Sequence, residues 1–108
     1  MESLGSGTIT INGTGGASTG GVENVGVILW NDAHIASLNG NIIITGVGGT
    51  DAAGADPLHG NYGVFVHHLS DITATGTGNI NITGQGGTGL SKPNTGIEIY
   101  ADLVGTSH

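Results

Sequence analysis

Short runs of Ile and Val alternate with Thr and Asn along this chain, and the runs recur. In Ile9/Ile11, Ile42/Ile44 and Ile80/Ile82 the apolar side chains stand two residues apart, the period of a half-buried strand. A second alternating run follows each of these, with Val27/Leu29, Val64/Val66 and Ile97/Ile99 on one face. Short third runs, Ile35-Ala36-Ser37 and Ile72-Thr73-Ala74, precede the next cycle. No segment has the 3.6-residue apolar period and the capping residues of a helix, so the pattern predicts an all-β chain.

The runs sit inside a longer repeat. Gly7-Thr-Ile-Thr-Ile-Asn-Gly-Thr-Gly-Gly16 returns as residues 40–49 and again as 78–87, offset by 33 and then 38 residues. Each copy is followed by an Asn-X-Gly motif headed by Asn24, Asn61 or Asn94. Three motifs in constant order predict a parallel β-helix, or solenoid, of three coils with three short strands each. Like residues then stack over like and form internal ladders. Two shorter coils per repeat is the rival count, but the third strand has a place only in one long coil. The Gly pairs Gly15-Gly16, Gly48-Gly49 and Gly86-Gly87 are expected at corners that need positive φ. Residues 17–23, 50–60 and 88–93 differ in length and hold Pro57 and Pro93, as loops projecting from one corner do.

Placing Met1 on Ile72 puts it at the start of a third strand, and His108 then falls where His34 and Asp71 sit. The expected coils are residues 1–34, 35–71 and 72–108 of a single domain, a whole number of turns. Neither end carries a capping repeat, a basic edge or a proline-blocked strand, so each is expected to expose strand edges and the apolar ladder. Met1, Leu4, Ile9 and Ile11 would line one end. Ile80, Ile82, Ile97, Ile99, Leu103 and His108 would line the other. The partner that fits such ends is a second copy stacked head to tail, a contact that does not close and so builds a filament.

Composition narrows function further. The chain has 108 residues, 23 of them Gly, a formal charge of −7, and Lys92 as its one Lys or Arg. So acidic a chain lacks the cations that neutralise phosphate, which excludes nucleic acid and anionic membrane surfaces as partners. No apolar run is long enough to span a bilayer, and the residues after Met1 do not read as a signal peptide. There is no cysteine and hence no disulfide framework.

Candidate chemistry is sparse. Asp32, Asp71 and Asp102 recur about once per coil, and paired carboxylates can hydrolyse glycosides. With no Arg and no neighbouring Lys they read as solvated corner acids, and no enzyme is expected. Asp32/His34 and Asp71 with His67/His68 offer metal ligands in type, but the spacing matches no established site, and neither metal nor cofactor is expected. Asn24, Asn61 and Asn94 are expected to hydrogen-bond along the stack as a structural ladder. Trp30, Phe65, His67 and Tyr100 point outward if Val27/Leu29 and their equivalents point in. They form either a lateral packing surface or a face that stacks on a polysaccharide.

The Gly-X-Ile-Thr-Ile-X-Gly-X-Gly-Gly motif followed by Asn-X-Gly-Val resembles the β-strand repeats of large bacterial secreted proteins, the filamentous-haemagglutinin-like and autotransporter-type adhesins. The resemblance runs from Gly5 to about Leu103. It implies a right-handed parallel β-helix in an extracellular or cell-surface setting, with a structural role as fibre or stalk. A carbohydrate- or surface-binding adhesin module is the alternative.

Overall fold

A computed structural model describes residues 1–19, 24–51, 60–89, 94–100 and, along the backbone, 102–105. Within these segments there are strands and no helix. The first repeat holds β1 (Glu2–Ser3), β2 (Ile9–Thr14), β3 (Ala17–Ser18) and β4 (Val27–Leu29). The second holds β5 (His34–Ser37), β6 (Ile42–Val47), β7 (Thr50–Asp51) and β8 (Val64–Val66). The third holds β9 (Asp71–Ala74), β10 (Ile80–Gln85) and β11 (Ile97–Ile99), and β12 (Asp102–Gly105) follows.

All pairing is parallel, and like lies over like. Ile9, Ile42 and Ile80 share one register position, Ile11, Ile44 and Ile82 another. Val27, Val64 and Ile97 share a third. The sheets run β2-β6-β10, β4-β8-β11, β1-β5-β9-β12 and β3-β7. This all-β, parallel architecture is consistent with a β-solenoid.

The core follows from the alternation. Ile42, Ile44, Val64, Val66 and Ile72 of the second and third repeats are fully buried. Between them the chain lies backbone against backbone. A Cβ on Gly46 would collide with the Gly63 carbonyl, and one on Gly63 would fall 2.5 Å from the Gln85 nitrogen. The same close approach recurs at Gly13 with Gly26 and at Gly84 with Gly96. β6 and β8 can therefore enclose only a narrow core, filled by two Ile and two Val on facing strands.

Three expectations are corrected. First, the position opposite Asp71 belongs to Asp102, and Leu103 stands opposite Ile72. The register position expected for His108 is therefore held by Asp102, and His108 itself lies outside the described residues. The corner from Tyr100 to Asp102 is two residues shorter than those from Trp30 to His34 and His67 to Asp71, so an alignment assuming equal corners overshoots. Second, none of the Gly-pair residues has positive φ; at Gly15, Gly48, Gly49, Gly86 and Gly87 neighbouring backbone leaves no room for a Cβ, while Gly16 faces open space. A Cβ on Gly49 would meet the Gly16 carbonyl, and one on Gly48 the Asn61 carbonyl. Third, a fourth strand position exists, the two-residue β3 and β7, extended by a bridge from Thr50 to Thr88. It occupies the start of the stretches read as loops. The rest of those stretches, with Pro57, Lys92 and Pro93, lies outside the described residues.

Truncating Ile44→Ala is expected to cost about 2–5 kcal/mol, because the site is packed on all sides and collapses poorly. Gly46→Ala is expected to cost about 1–3 kcal/mol or more, since the added methyl must push one sheet off the other. Thr45→Ala, on the opposite face of β6, should be mild beside both. Chemical denaturation of the three variants checks the order; an unchanged midpoint for Ile44→Ala would overturn the inward assignment.

Candidate functional site

Three features carry chemistry: an amide column buried at its middle, a ring cluster on the outer face, and a charged corner between repeats. The amide column lies where each repeat enters its second strand. Asn24 Nδ2 donates to Asn61 Oδ1 at 3.1 Å, and Asn61 Nδ2 donates to Asn94 Oδ1 at 3.1 Å. The backbone N–H groups of Asn24 and Asn61 donate to the same two oxygens, at 3.2 and 3.3 Å. Each side chain also donates sideways, Asn24 to the Thr50 carbonyl, Asn61 to the Thr88 carbonyl and Asn94 to the Gly89 carbonyl. Asn61 is fully buried and further donates to the buried Asp51 carboxylate at 2.5 Å. A buried amide left unpaired would cost a few kcal/mol, and stacking removes that penalty. Every donor along the column points from an earlier repeat to a later one.

The ring cluster lies on the outer face of β4-β8-β11. Trp30, His67 and Tyr100 each follow register-matched residues, Leu29, Val66 and Ile99. Trp30 lies nearly parallel to Phe65 at 5.9 Å and to His67 at 5.3 Å between centroids. His67 meets Phe65 at 5.4 Å and Tyr100 at 4.8 Å. All four residues expected on this face are thus brought together. Two more join them that the alternation did not suggest: His68, whose ring stacks 3.8 Å from Trp30, and buried Tyr62, 4.8 Å from Phe65. The rings turn much of their faces to one another, while Trp30 and Tyr100 keep 42% and 65% of their surface exposed.

The adjoining corner is built on left-handed backbone. Asn31, Asp32, His68 and Leu69 all have φ between 53° and 62°. Two consecutive positive-φ residues make a type I′ turn, closed in the second repeat by Ser70 N–H donating to the His67 carbonyl at 3.3 Å. Asn and Asp tolerate this conformation; Leu does not. The two turns are tied by Asp32 N–H donating to the His68 carbonyl and Ala33 N–H to Ser70 Oγ. The backbone of the first turn thus holds the second in the same shape. His67 and His68 also meet through their Nδ1 atoms at 2.6 Å.

Just past this turn, His34 Nδ1 hydrogen-bonds Asp71 Oδ2 at 2.8 Å, and His34 Nε2 lies 3.3 Å from Asp32 Oδ1. The Asp71 hydrogen bond and charge, with a smaller push from Asp32, raise the His34 pKa above 6.5. The sequence aligned His34 with Asp71 without showing that they pair. Among the described residues no group of three or more His, Asp or Glu side chains is placed to hold a metal ion. The side chain of Asp102 lies outside the described residues.

The residues expected at the two ends divide by depth. Ile9 is buried and Ile11 packs partly on the core, whereas Met1 and Leu4 are largely exposed. At the other end Ile80, Ile82 and Ile99 are half-buried and Ile97 is 38% exposed. Comparison of the chain with protein-family models, with curated proteins and with solved structures returns no match.

Leu69→Asn is expected to stabilise the protein by about 0.5–1 kcal/mol, because an exposed Leu in the left-handed region gives way to a residue that tolerates it. A melting temperature no higher than that of the parent would count against the turn geometry. The raised His34 pKa stabilises the fold while His34 is protonated. That contribution is fully present below about pH 6.5 and fades as pH rises through the folded-state value. In melts at a series of pH values, the excess stability of the parent over His34→Gln should shrink towards alkaline pH. A difference independent of pH would refute it.

Proposed function

We propose that this chain is a structural solenoid module, three circuits and the first strand of a fourth, to which further like circuits are added at both open ends. The added circuits come from a second copy head to tail or from the adjoining stretch of a longer stalk. The observation that carries this reading is the grading of the ladders. Their middle positions are fully buried and Ile9, Val27 and Leu29 on β2 and β4 nearly so, while Ile80, Ile82, Ile97 and Ile99, in matching register positions, remain partly open on β10 and β11, the end where the opening is marked. Among the described residues no strand covers the outer edge of either. An uncovered parallel edge with an apolar row beneath it is a template for another strand.

The Asn column sets the direction. Donors point towards later repeats throughout, so only a copy facing the same way continues the pattern. A reversed copy would break both the amide column and the parallel ladder. The gain on stacking scales with apolar area at about 25 cal/mol per Å², offset by the cost of association. The formal charge of −7 per copy opposes it. A right-handed coil and an extracellular or cell-surface setting accompany this reading through the resemblance of the repeats to those of bacterial surface proteins.

A second reading, a carbohydrate- or surface-binding face, draws on the exposed portions of Trp30 and Tyr100. Trp30 is the sole tryptophan, so its emission reports any occupant of that face. Shifts saturating with a soluble polysaccharide, lost in Tyr100→Ala, would favour it.

Stacking is tested by light scattering and negative-stain microscopy across salt concentrations. Added salt should lengthen fibres by screening the acidic copies, since the Debye length falls from about 10 Å at 0.1 M to about 3 Å at 1 M. Ile82→Lys should stop growth with the circular-dichroism spectrum retained. A monodisperse monomer at high concentration and high salt, with β structure intact, would refute the reading.

A further inference from the structure

Among the described residues the sheets do not hold equal numbers of strands. There β2-β6-β10 and β4-β8-β11 each have three, whereas β1-β5-β9-β12 has four. Copies stacked in register must add the same number of strands to every sheet. When β2 of an incoming copy lies on β10 and its β4 on β11, its β1 falls on β9. That place is already taken by β12 of the copy below. Met1 to Leu4 of an incoming copy therefore cannot lie on β9 while β12 holds that edge.

We propose that β1 is a placeholder on the edge of β5, and that it leaves when β12 of a second copy takes that edge. The inference rests on the stacking reading and names how one copy docks on the next. The registers decide which strand yields. β1 matches β5 at two positions, Glu2 with Ala36 and Ser3 with Ser37. β12 matches β9 at four, Asp102 to Gly105 against Asp71 to Ala74. Because β5 and β9 are themselves in register, β12 fits β5 as it fits β9, with Leu103 opposite the buried Ile35. Met1 now stands there, 68% exposed, and Leu4, just past β1, is 79% exposed. β1 is held mainly by backbone bonds. The amino terminus donates to the His34 carbonyl, Ala36 N–H to the Met1 carbonyl and Leu38 N–H to the Ser3 carbonyl. An incoming parallel strand replaces these one for one, as in strand addition to a sheet edge, and swapping like for like makes exchange cheap.

The chain contains no cysteine, so a single engineered pair reports on β1 alone. Glu2→Cys with Ala36→Cys places two thiols at one register position of adjacent strands, within the Cα range a disulfide spans. Elongation of the full-length variant is followed by light scattering, oxidised and reduced. Oxidised protein, with β1 pinned to β5, should elongate severalfold more slowly than reduced protein, and reductant should restore growth. Equal elongation in both forms would overturn the placeholder and leave stacking intact. Absence of assembly in the parent and in both forms, with β structure retained, would overturn stacking and the placeholder together.

Discussion

Asn61 is a primary amide with no access to water; besides Asp51 of its own repeat, its hydrogen bonds are met by Asn24 and Asn94 of the repeats before and after it. That bonding fixes more than its own surroundings. The partners above and below are amides at the same place in their repeats, and this holds the strands that follow, β4, β8 and β11, like over like. Once they are locked, Val64 and Val66 lie under Ile97 and Ile99 and over Val27 and Leu29. A slip by one residue would orphan the amide and turn the apolar side chains outward together. Hydrophobic ladders tolerate some sliding; a satisfied buried amide does not.

The glycine waist works with that lock. Where β6 and β8 approach through Gly46 and Gly63, the core has no side chains to adjust, and the spacing of the sheets is set by backbone contact. A chain this rich in Gly loses much conformational entropy on folding. That loss is offset by a cross-section small enough for a few Ile and Val to fill.

Much of this was readable from the residues. Period-two alternation gave β2, β6 and β10 and their inward faces, and the Asn-X-Gly recurrence put Asn24, Asn61 and Asn94 at one place in each repeat. Alternation also gathered Trp30, Phe65, His67 and Tyr100 on one surface. What stayed hidden depends on contacts between repeats. Nothing in Gly48-Gly49 distinguishes a glycine kept for its φ from one kept because a carbonyl stands where its Cβ would be. His34 and Asp71 aligned, yet their pairing needs the imidazole, the carboxylate and both corners in place. The third corner, shorter by two residues, defeated an alignment built on equal lengths, and with it the assignment of His108 to the corner position.

The corner at His68-Leu69 has a wider meaning. Its left-handed backbone does not suit Leu69; Asn31-Asp32 beneath it tolerate that shape, and backbone hydrogen bonds carry the shape across. Conformation here is inherited between neighbours as well as encoded within a segment. In such a stack one well-suited repeat can chaperone the next, so substitutions that would be rejected in an isolated turn survive beside a good template. Divergence can then accumulate along the array without the array losing its form.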